Sequence, residues 1–511
     1  MDSGAAAKLA EARAFEAAQN LPAAFDAYQA ALGLAPDSLD IVQGLAALAF
    51  RLQHWELAEN FYVHLITRGQ HDVLTVTAFA ATLREQGRHD EATDLLKELL
   101  GRHPKEARLW EALGSLLAAK GDTEHAVVFL TEALRLNPND MHARFNRGCA
   151  LMDQGEAQAG LADLSACVNA FIDPENRASA AIAYAQALLS VGDLSQGWRF
   201  YESRERLGTA LAVRHILTLP RLEDKTSLAN KNLFISMEQG LGDEVLFASL
   251  LPEIQHSLGT DGRLGVGVEP RLVSLFQRSF PDVFVVAHRT QTIDGRLQRS
   301  FRDFDTTGFD EWALMGDFLR SRRASLDQFP ASNAYLKPAP ARVRYWRDQM
   351  AAIDSKPKIG LLWKSLKAGA QRDRYFSPFA QWADILALNG VTFLNLQYGD
   401  TTEEMRMAQA AGFTIHTPEG IDLKNDLDDL AALCASMDVI LGPSNATTNI
   451  AAACGVPVWL LSAPVNWLRL GQNFYPWYPS ARLFPTPSLA DWSPALTAMR
   501  DALVTQFTLL V

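Results

Sequence analysis

Cysteine is scarce in this chain: 511 residues contain four, Cys149, Cys167, Cys434 and Cys454. None forms a Cys-x-x-Cys pair and no zinc-type spacing is present, which excludes a disulfide framework and a structural zinc site. Each lies in an apolar or Ala-rich run, the setting of a buried free thiol in a reducing compartment. Long apolar runs are missing as well. No stretch approaches the ~20 apolar residues that a bilayer-spanning helix needs. The first 21 residues break their alanines with Lys8, Glu11, Arg13 and Glu16, unlike the basic start and apolar core of a secretory leader. A cytoplasmic location without membrane insertion is expected. Basic charge is in deficit, with 47 Lys and Arg against 59 Asp and Glu and a net charge of -12. That balance argues against non-specific binding to nucleic acid or an anionic membrane, and leaves room for a local basic pocket. A hydrophobic content of 48% and a charged content of 21% are ordinary for globular chains. The length exceeds what one core supports.

The first half repeats with a period of 34. Starts at Ala5, Leu39, Val73, Ala107 and Met141 are each 34 residues apart. Position 8 then reads Ala12, Ala46, Ala80, Gly114 and Gly148, and position 20 reads Ala24, Ala58, Ala92, Ala126 and Gly160. Position 24 is large throughout: Tyr28, Tyr62, Leu96, Leu130 and Leu164. Position 32 is Pro36, Pro104 and Pro138 in three repeats, with Gln70 and Ile172 in the others. Small residues at 8 and 20 let two antiparallel helices approach, the large residue at 24 fills the space beside them, and proline stops the second helix. Such hairpins cannot bury an apolar face alone, so they stack into a solenoid. The pattern resembles the tetratricopeptide family. A sixth hairpin follows a slip of three residues, with Ala178 as its start and Ala185, Gly197 and Tyr201 at positions 8, 20 and 24. Its aromatic end, 192–204, is expected to be a cap. A concave groove in such an array holds a polypeptide partner, or the array serves only as a spacer or oligomerisation arm.

Residues 207–231 carry Pro220 and the patch Glu223-Asp224-Lys225 without helical periodicity, and are expected to be a linker. From Asn232 short β-rich runs alternate with amphipathic stretches: Leu233–Ser236, Leu264–Val268, Val283–Val286, Lys358–Trp363, Val391–Leu396, Val439–Gly442 and Val456–Leu461. Alternation of this kind implies parallel sheets, with ligands beyond the carboxyl ends of the strands. Pro338, Pro340 and a helix-like Arg342–Ile353 separate the two groups of strands. The expected organisation is a repeat domain at 1–206, a linker at 207–231, a first lobe at 232–340 and a second, donor-binding lobe at 341–511, the two Rossmann-type lobes facing a cleft.

Four constellations could carry chemistry. In Glu238-Gln239-Gly240-Leu241-Gly242-Asp243-Glu244, which follows a strand and opens a helix at Val245–Ile254, Gly240 and Gly242 allow a tight turn and close approach of a ligand. Its acids would repel a phosphate. Asp243 is placed either to accept a proton from an acceptor hydroxyl, once burial raises its pKa, or to cap the helix. In Lys364-Ser365-Leu366-Lys367-Ala368-Gly369-Ala370-Gln371-Arg372-Asp373-Arg374, four cations near Ser365 suit a diphosphate, or a monophosphate plus a carboxylate. A solvated basic loop is the plainer reading. In Gly442-Pro443-Ser444-Asn445-Ala446-Thr447-Thr448-Asn449, a strand turns into a helix whose free N–H groups favour a phosphate, and Ser444, Asn445 and Thr447 add donors. Ordinary capping explains the same residues. Tyr398, past the Val391–Leu396 run, joins Asn449 among the donor-binding candidates. The aromatics from Trp467 to Tyr478 stack on a base or sugar, or pack between lobes. Asp303-Phe304-Asp305 and Asp426-Leu427-Asp428 match a metal-binding Asp-x-Asp, but a match so short arises by chance among 59 acids. No metal is expected.

Taken together, the repeat array, the Gly-Asp-Leu-x-x-Gly-Trp-x-x-Tyr-Glu-x-Arg cap, Glu-Gln-Gly-Leu-Gly-Asp, Gly-Leu-x-Trp-Lys and the Pro-Trp-Tyr-Pro tail resemble bacterial tetratricopeptide-linked glycosyltransferases of the GT-B class. These are related to heptosyltransferases and more distantly to protein O-linked sugar transferases. The resemblance runs from about Ala5 to Trp492. Ser444 and Asn449 stand where the wider family has Asp and His. That variant looks like the flagellin glycosyltransferases of stalked alphaproteobacteria, which implies a nonulosonic acid (pseudaminic or legionaminic) carried as its CMP form to Ser or Thr of flagellin. The resemblance further implies Asp243 as general base, with Gly240, Gly242, Lys364, Ser365, Lys367, Arg372, Arg374, Tyr398, Ser444, Asn445, Thr447 and Asn449 around the donor. It implies inversion without a metal or other cofactor, and flagellin on the array, with a flagellin chaperone as a second candidate partner. The competing readings are a non-catalytic adaptor or chaperone with a degenerate transferase domain, and a transferase using another nucleotide sugar and acceptor, including a lipid-linked glycan.

Overall fold

The computed structural model describes residues 3–207, 212–223, 227–238, 240–293, 296–301, 305–330, 334–364, 375–489 and 491–509. The chain divides into two compact units at Leu151/Met152.

The first unit is helical. Helices α1 (Ser3–Ala17), α3 (Leu39–Arg51), α5 (Val73–Glu85), α7 (Ala107–Lys120) and α9 (Met141–Asp153) alternate with α2 (Leu21–Leu34), α4 (Trp55–Thr67), α6 (His89–Arg102) and α8 (Thr123–Leu136). From the second repeat on, the leading helices begin on the residues that the 34-residue period marks: Leu39, Val73, Ala107 and Met141. The following helices keep the same step, at Leu21, Trp55, His89 and Thr123. Tight contact explains the small residues. A Cβ on Gly114 would stand 2.6 Å from Cγ of Leu130, the position-24 residue of its own repeat. Ala24, Ala58, Ala92 and Ala126, all at position 20, have no exposed surface. The turn inside each hairpin has its own period, which the sequence pattern did not reveal. Gln19, Gln53 and Gly87 adopt left-handed backbone at φ 58, 61 and 78°, and Gly121 and Gly155 follow at the same step with φ 86°.

The second unit begins with α10 (Ala157–Ala170), α11 (Pro174–Ser190) and α12 (Leu194–Tyr201). The sixth hairpin therefore starts at Pro174 rather than Ala178. Asp173 accepts from the N–H of Asn176, and Pro174 fills the first turn, where no N–H partner is needed. The slip of three lies in its second helix, which starts 37 residues after α10.

Three sheets follow. One is β4-β3-β2-β7, all parallel, from β2 (Asn232–Ser236), β3 (Arg263–Val268), β4 (Phe284–Ala287) and β7 (Glu311–Leu314). The largest is β10-β9-β8-β11-β12-β13, also all parallel, from β8 (Lys358–Leu361), β9 (Thr392–Asn395), β10 (Ile415–His416), β11 (Val439–Pro443), β12 (Val458–Ser462) and β13 (Arg482–Pro485). Its order is 3-2-1-4-5-6, that of a doubly wound sheet, with its switch point between β8 and β11. Central strands such as Lys358–Leu361 and Val439–Pro443 are buried along their whole length, as strands covered on both faces must be. The third sheet, β1-β6-β5, uses β1 (Val213–Ile216), β5 (Arg289–Ile293) and β6 (Arg296–Ser300). Part of the expected linker is thus strand β1.

Helices cover the parallel sheets: α13 (Leu241–Phe247), α14 (Leu251–Leu258), α15 (Val273–Ser279), α16 (Pro340–Ile353), α17 (Thr402–Ala410), α18 (Leu427–Cys434), α19 (Ala446–Ala453) and α20 (Ser493–Phe507). The helix expected over Val245–Ile254 is instead two short ones, α13 and α14, with Pro252 in the first turn of the second. Proline has no N–H to carry one ladder through the junction. Trp198 on α12 is buried and donates its indole N–H to the Arg323 carbonyl at 2.7 Å, tying the last hairpin to the four-stranded sheet's unit. Its ring meets Trp467 and Trp477 edge-on at 6.3 Å each. Cys434 and Cys454 are free thiols, and burial pushes Cys454 up to about 12.

Candidate functional site

At the carboxyl end of β2 the chain leaves the sheet through Met237 and Glu238 and enters α13. Glu238 is buried and accepts from Arg204 Nε and Nη2 at 3.2 and 3.1 Å and from the N–H of Gly316 at 2.6 Å. Gly316 follows β7, β2's neighbour. A Cβ there would stand 2.5 Å from Glu238 Oε1 and 2.7 Å from Arg204 Nη2, so the close approach needs glycine. The next residue, Asp317, is buried and accepts from Arg204 at 3.2 Å and from Arg221 at 2.7 Å. Burial opposes the Arg204 cation, but Glu238, then Tyr201 and Asp317, outweigh it and raise its pKa.

A second buried group lies beside the first. Glu244 accepts from the Glu269 N–H at 2.8 Å, meets His288 Nε2 at 2.9 Å and lies 3.4 Å from Arg299. Arg299 donates to the carbonyls of Met237 and Glu238, both at 2.7 Å. Burial lowers its pKa while Glu244 and Glu238 oppose the shift. Sequence reasoning missed Arg204, His288, Arg299 and Asp317. Arg204 closes a quoted motif, so it carried some signal. The others lie in runs whose polar pattern marks no site.

Asp243, between Glu238 and Glu244 in sequence, is half-buried in the first turn of α13. Burial, then the charges of Glu238 and Asp243, raise the pKa of the Tyr201 phenol, and burial with the Asp243 charge raises that of Tyr475. A Cβ on Gly240 would stand 3.0 Å from the Asp243 carboxylate. The start of α13 meets the start of α19: Asn449 Nδ2 donates to the Gly242 carbonyl at 3.1 Å. The first and third sequence constellations are therefore neighbours.

At α19, Asn445 and Thr448 form a reciprocal cap, Asn445 Oδ1 accepting from the Thr448 N–H at 3.1 Å and Thr448 Oγ1 from the Asn445 N–H at 2.9 Å. Asn445 Nδ2 is buried with no partner among the described residues. Ser444 Oγ is 3.3 Å from the Tyr475 hydroxyl, and Thr447 is buried. Lys364 follows β8, on the other side of the switch point. Its ammonium pairs with Glu404 and reaches the Asp400 carbonyl at 3.3 Å. It lines a 470 Å³ pocket with Phe379, Asp400, Glu403, Glu404 and Met407. Tyr398 is half-buried beyond β9. Ser365, Lys367, Arg372 and Arg374 lie outside the described residues.

Tyr475, Trp477 and Tyr478 are buried, with Trp477 donating to the Leu468 carbonyl at 3.1 Å. Of the Asp-x-Asp matches, Asp303 and Phe304 lie outside the described residues. In the other, Asp426 caps α18 and Asp428 pairs with Arg278. No group of three or more His, Cys, Asp or Glu able to hold a metal is present among the described residues. No described helix is long and apolar enough to cross a membrane. In the helical unit, a 470 Å³ cleft is lined by residues including Arg84, Arg108, Glu111, Ser115, His142 and Asn146.

A tetratricopeptide repeat model matches residues 77–140. Protein FlbA of Caulobacter vibrioides is 45% identical over 483 residues, 93% of this chain and 80% of that protein. Among solved structures, a thermophilic tetratricopeptide protein of Thermus thermophilus, TTC0263, is 20% identical over 36% of this chain and 99% of its own, with a TM-score of 0.32. PilF of Pseudomonas aeruginosa is 18% identical over 40% of this chain and 92% of its own, with a TM-score of 0.33.

Proposed function

From the premise that the chain belongs to the family of Caulobacter FlbA, we propose that it is a protein O-glycosyltransferase acting on flagellin. The repeats engage the polypeptide, and the α/β unit, in a GT-B arrangement, moves a nonulosonic acid from its CMP form to a Ser or Thr hydroxyl. The observation that carries this reading is the Asn449–Gly242 hydrogen bond. It joins Asp243 and the phosphate-suited start of α19 at the carboxyl ends of two parallel sheets, where such folds bind ligands.

The donor's nucleotide lies beyond β8 and β11, its phosphate toward the N–H groups at the start of α19. Asp243 takes the proton of the acceptor hydroxyl, and the oxygen bonds to the anomeric carbon. The bond from that carbon to the phosphate oxygen breaks, and CMP leaves with the electron pair. One displacement gives inversion, and no metal is required. The leaving charge is met by the amides at the start of α19.

One observation favours the adaptor reading, in which catalysis has been lost. The ammonium of Lys364, expected on the donor, is held by Glu404. Incubating flagellin with the full chain and CMP-pseudaminic or CMP-legionaminic acid, followed by intact-mass measurement, decides between them. The expected result is a gain of whole nonulosonic acid units, abolished in Asp243→Ala while CMP still binds. Normal transfer by Asp243→Ala overturns the base assignment. Absence of both transfer and binding of CMP, UDP or ADP favours the adaptor.

A further inference from the structure

We infer that Arg204, in the turn that closes the last helical hairpin, is a positioning residue for the start of α13, which carries Asp243. This rests on the reading of that helix start as part of a transfer site. The contacts of Arg204 are buried. Arg204 grips Glu238 through two nitrogens and Asp317 through one of them, with side-chain exposures of 6%, 4% and 1% for the three residues. Glu238 lies two residues before Gly240, and the Gly240 carbonyl accepts the Glu244 N–H at 2.9 Å to begin α13. Arg299 holds the carbonyls of Met237 and Glu238 from another side. Two guanidinium groups thus hold Met237 and Glu238 just before α13, and Asp243 lies in the first turn of that helix.

Stability alone is a poor account of this network. Burying ions is costly, and well-packed apolar residues often match or exceed the stability of a buried ion pair. What the fork of Arg204 adds is direction. It sets the Glu238 carboxylate against the N–H of Gly316, at a position where even a methyl group on Gly316 would collide with it. Lysine keeps the charge but not the fork.

The test compares Arg204→Lys and Gly316→Ala with the full wild-type chain by hydrogen exchange, and uses Arg320→Gln, at an exposed pair with Glu202, as a control. Arg204→Lys and Gly316→Ala are expected to speed exchange of the amides of residues 240–247 by about ten-fold or more, leaving β8, β11 and α3–α8 as in the wild type. In the transfer assay kcat falls by a similar factor while the donor KM stays within about two-fold. Exchange at 240–247 within about two-fold of the wild type in both variants overturns the inference. So does faster exchange spread evenly over the unit, the mark of a merely structural role. If Arg204→Lys does not fold, Gly316→Ala and Glu238→Gln decide by the same readout. Because exchange needs no substrate, a chain without transferase activity still tests the inference.

Discussion

The side-chain amide of Asn449 donates to the Gly242 carbonyl at 3.1 Å, joining two helix starts that are 207 residues apart in sequence. Asn449 is 6% exposed, so the loss of its amide leaves a carbonyl without that donor. Asn449→Ala is expected to cost about 1–3 kcal/mol in denaturant unfolding. Asn449→Asp should cost more, because a carboxylate oxygen then faces a carbonyl oxygen. Equal losses in the two variants would show that the bond carries no weight.

Trp198 separates packing from hydrogen bonding. Trp198→Phe keeps most of the ring but removes the donor to the Arg323 carbonyl, with an expected cost of about 1–3 kcal/mol. Trp198→Ala also empties a fully packed site, with an expected cost of about 3–5 kcal/mol. Chemical denaturation followed by tryptophan fluorescence reads both.

Stability should fall in acid partly through His215. Burial, then the charges of Arg299 and Arg221, push its pKa down to about 3, and its Nδ1 lies 2.8 Å from Ser236 Oγ. The unfolded chain takes up this proton near its ordinary value of 6.5, before the folded chain does. The contribution is therefore whole above pH 6.5 and is lost as pH falls toward 3. Within that window one histidine adds a slope of up to about 1.4 kcal/mol per pH unit. His215→Gln should flatten the dependence of unfolding free energy on pH between these limits.

The hairpin turns predict opposite effects at equivalent positions. Gly87 has φ 78° and nothing within 4 Å of where a Cβ would stand. Gly87→Ala should cost about 1–2 kcal/mol for conformation alone. Gln53, one repeat earlier, already bears that strain at φ 61°. Gln53→Gly should stabilise by less than about 1 kcal/mol, since glycine also loosens the unfolded chain. Thermal unfolding of the two variants checks the signs.

The helical half was legible because its constraint is periodic: the small residues at positions 8 and 20 each answer a contact, as Gly114 answers Leu130. The seven expected strands are present because buried parallel strands are continuous apolar runs. Strands β5 and β6, reading Arg-Thr-Gln-Thr-Ile and Arg-Leu-Gln-Arg-Ser, have no such mark. The candidate site was legible where a motif sits on one turn, as with Gly240–Asp243. It was not legible where charges meet from afar. Nothing local in sequence says that Arg204 meets Asp317, 113 residues on. Lys364 shows the converse, a well-placed cation whose partner Glu404 could not be read from its own loop.

The constant step between helix starts also bears on how such chains change over generations. A gene segment duplicated or lost in units of one repeat adds or removes a whole hairpin and leaves every later helix on its own contacts. Reach toward a partner can then drift freely in the helical half. The longer step into α12 marks where that freedom stops, because Trp198 and Arg204 beyond it answer to Arg323 and Glu238, fixed residues of the α/β part of the chain.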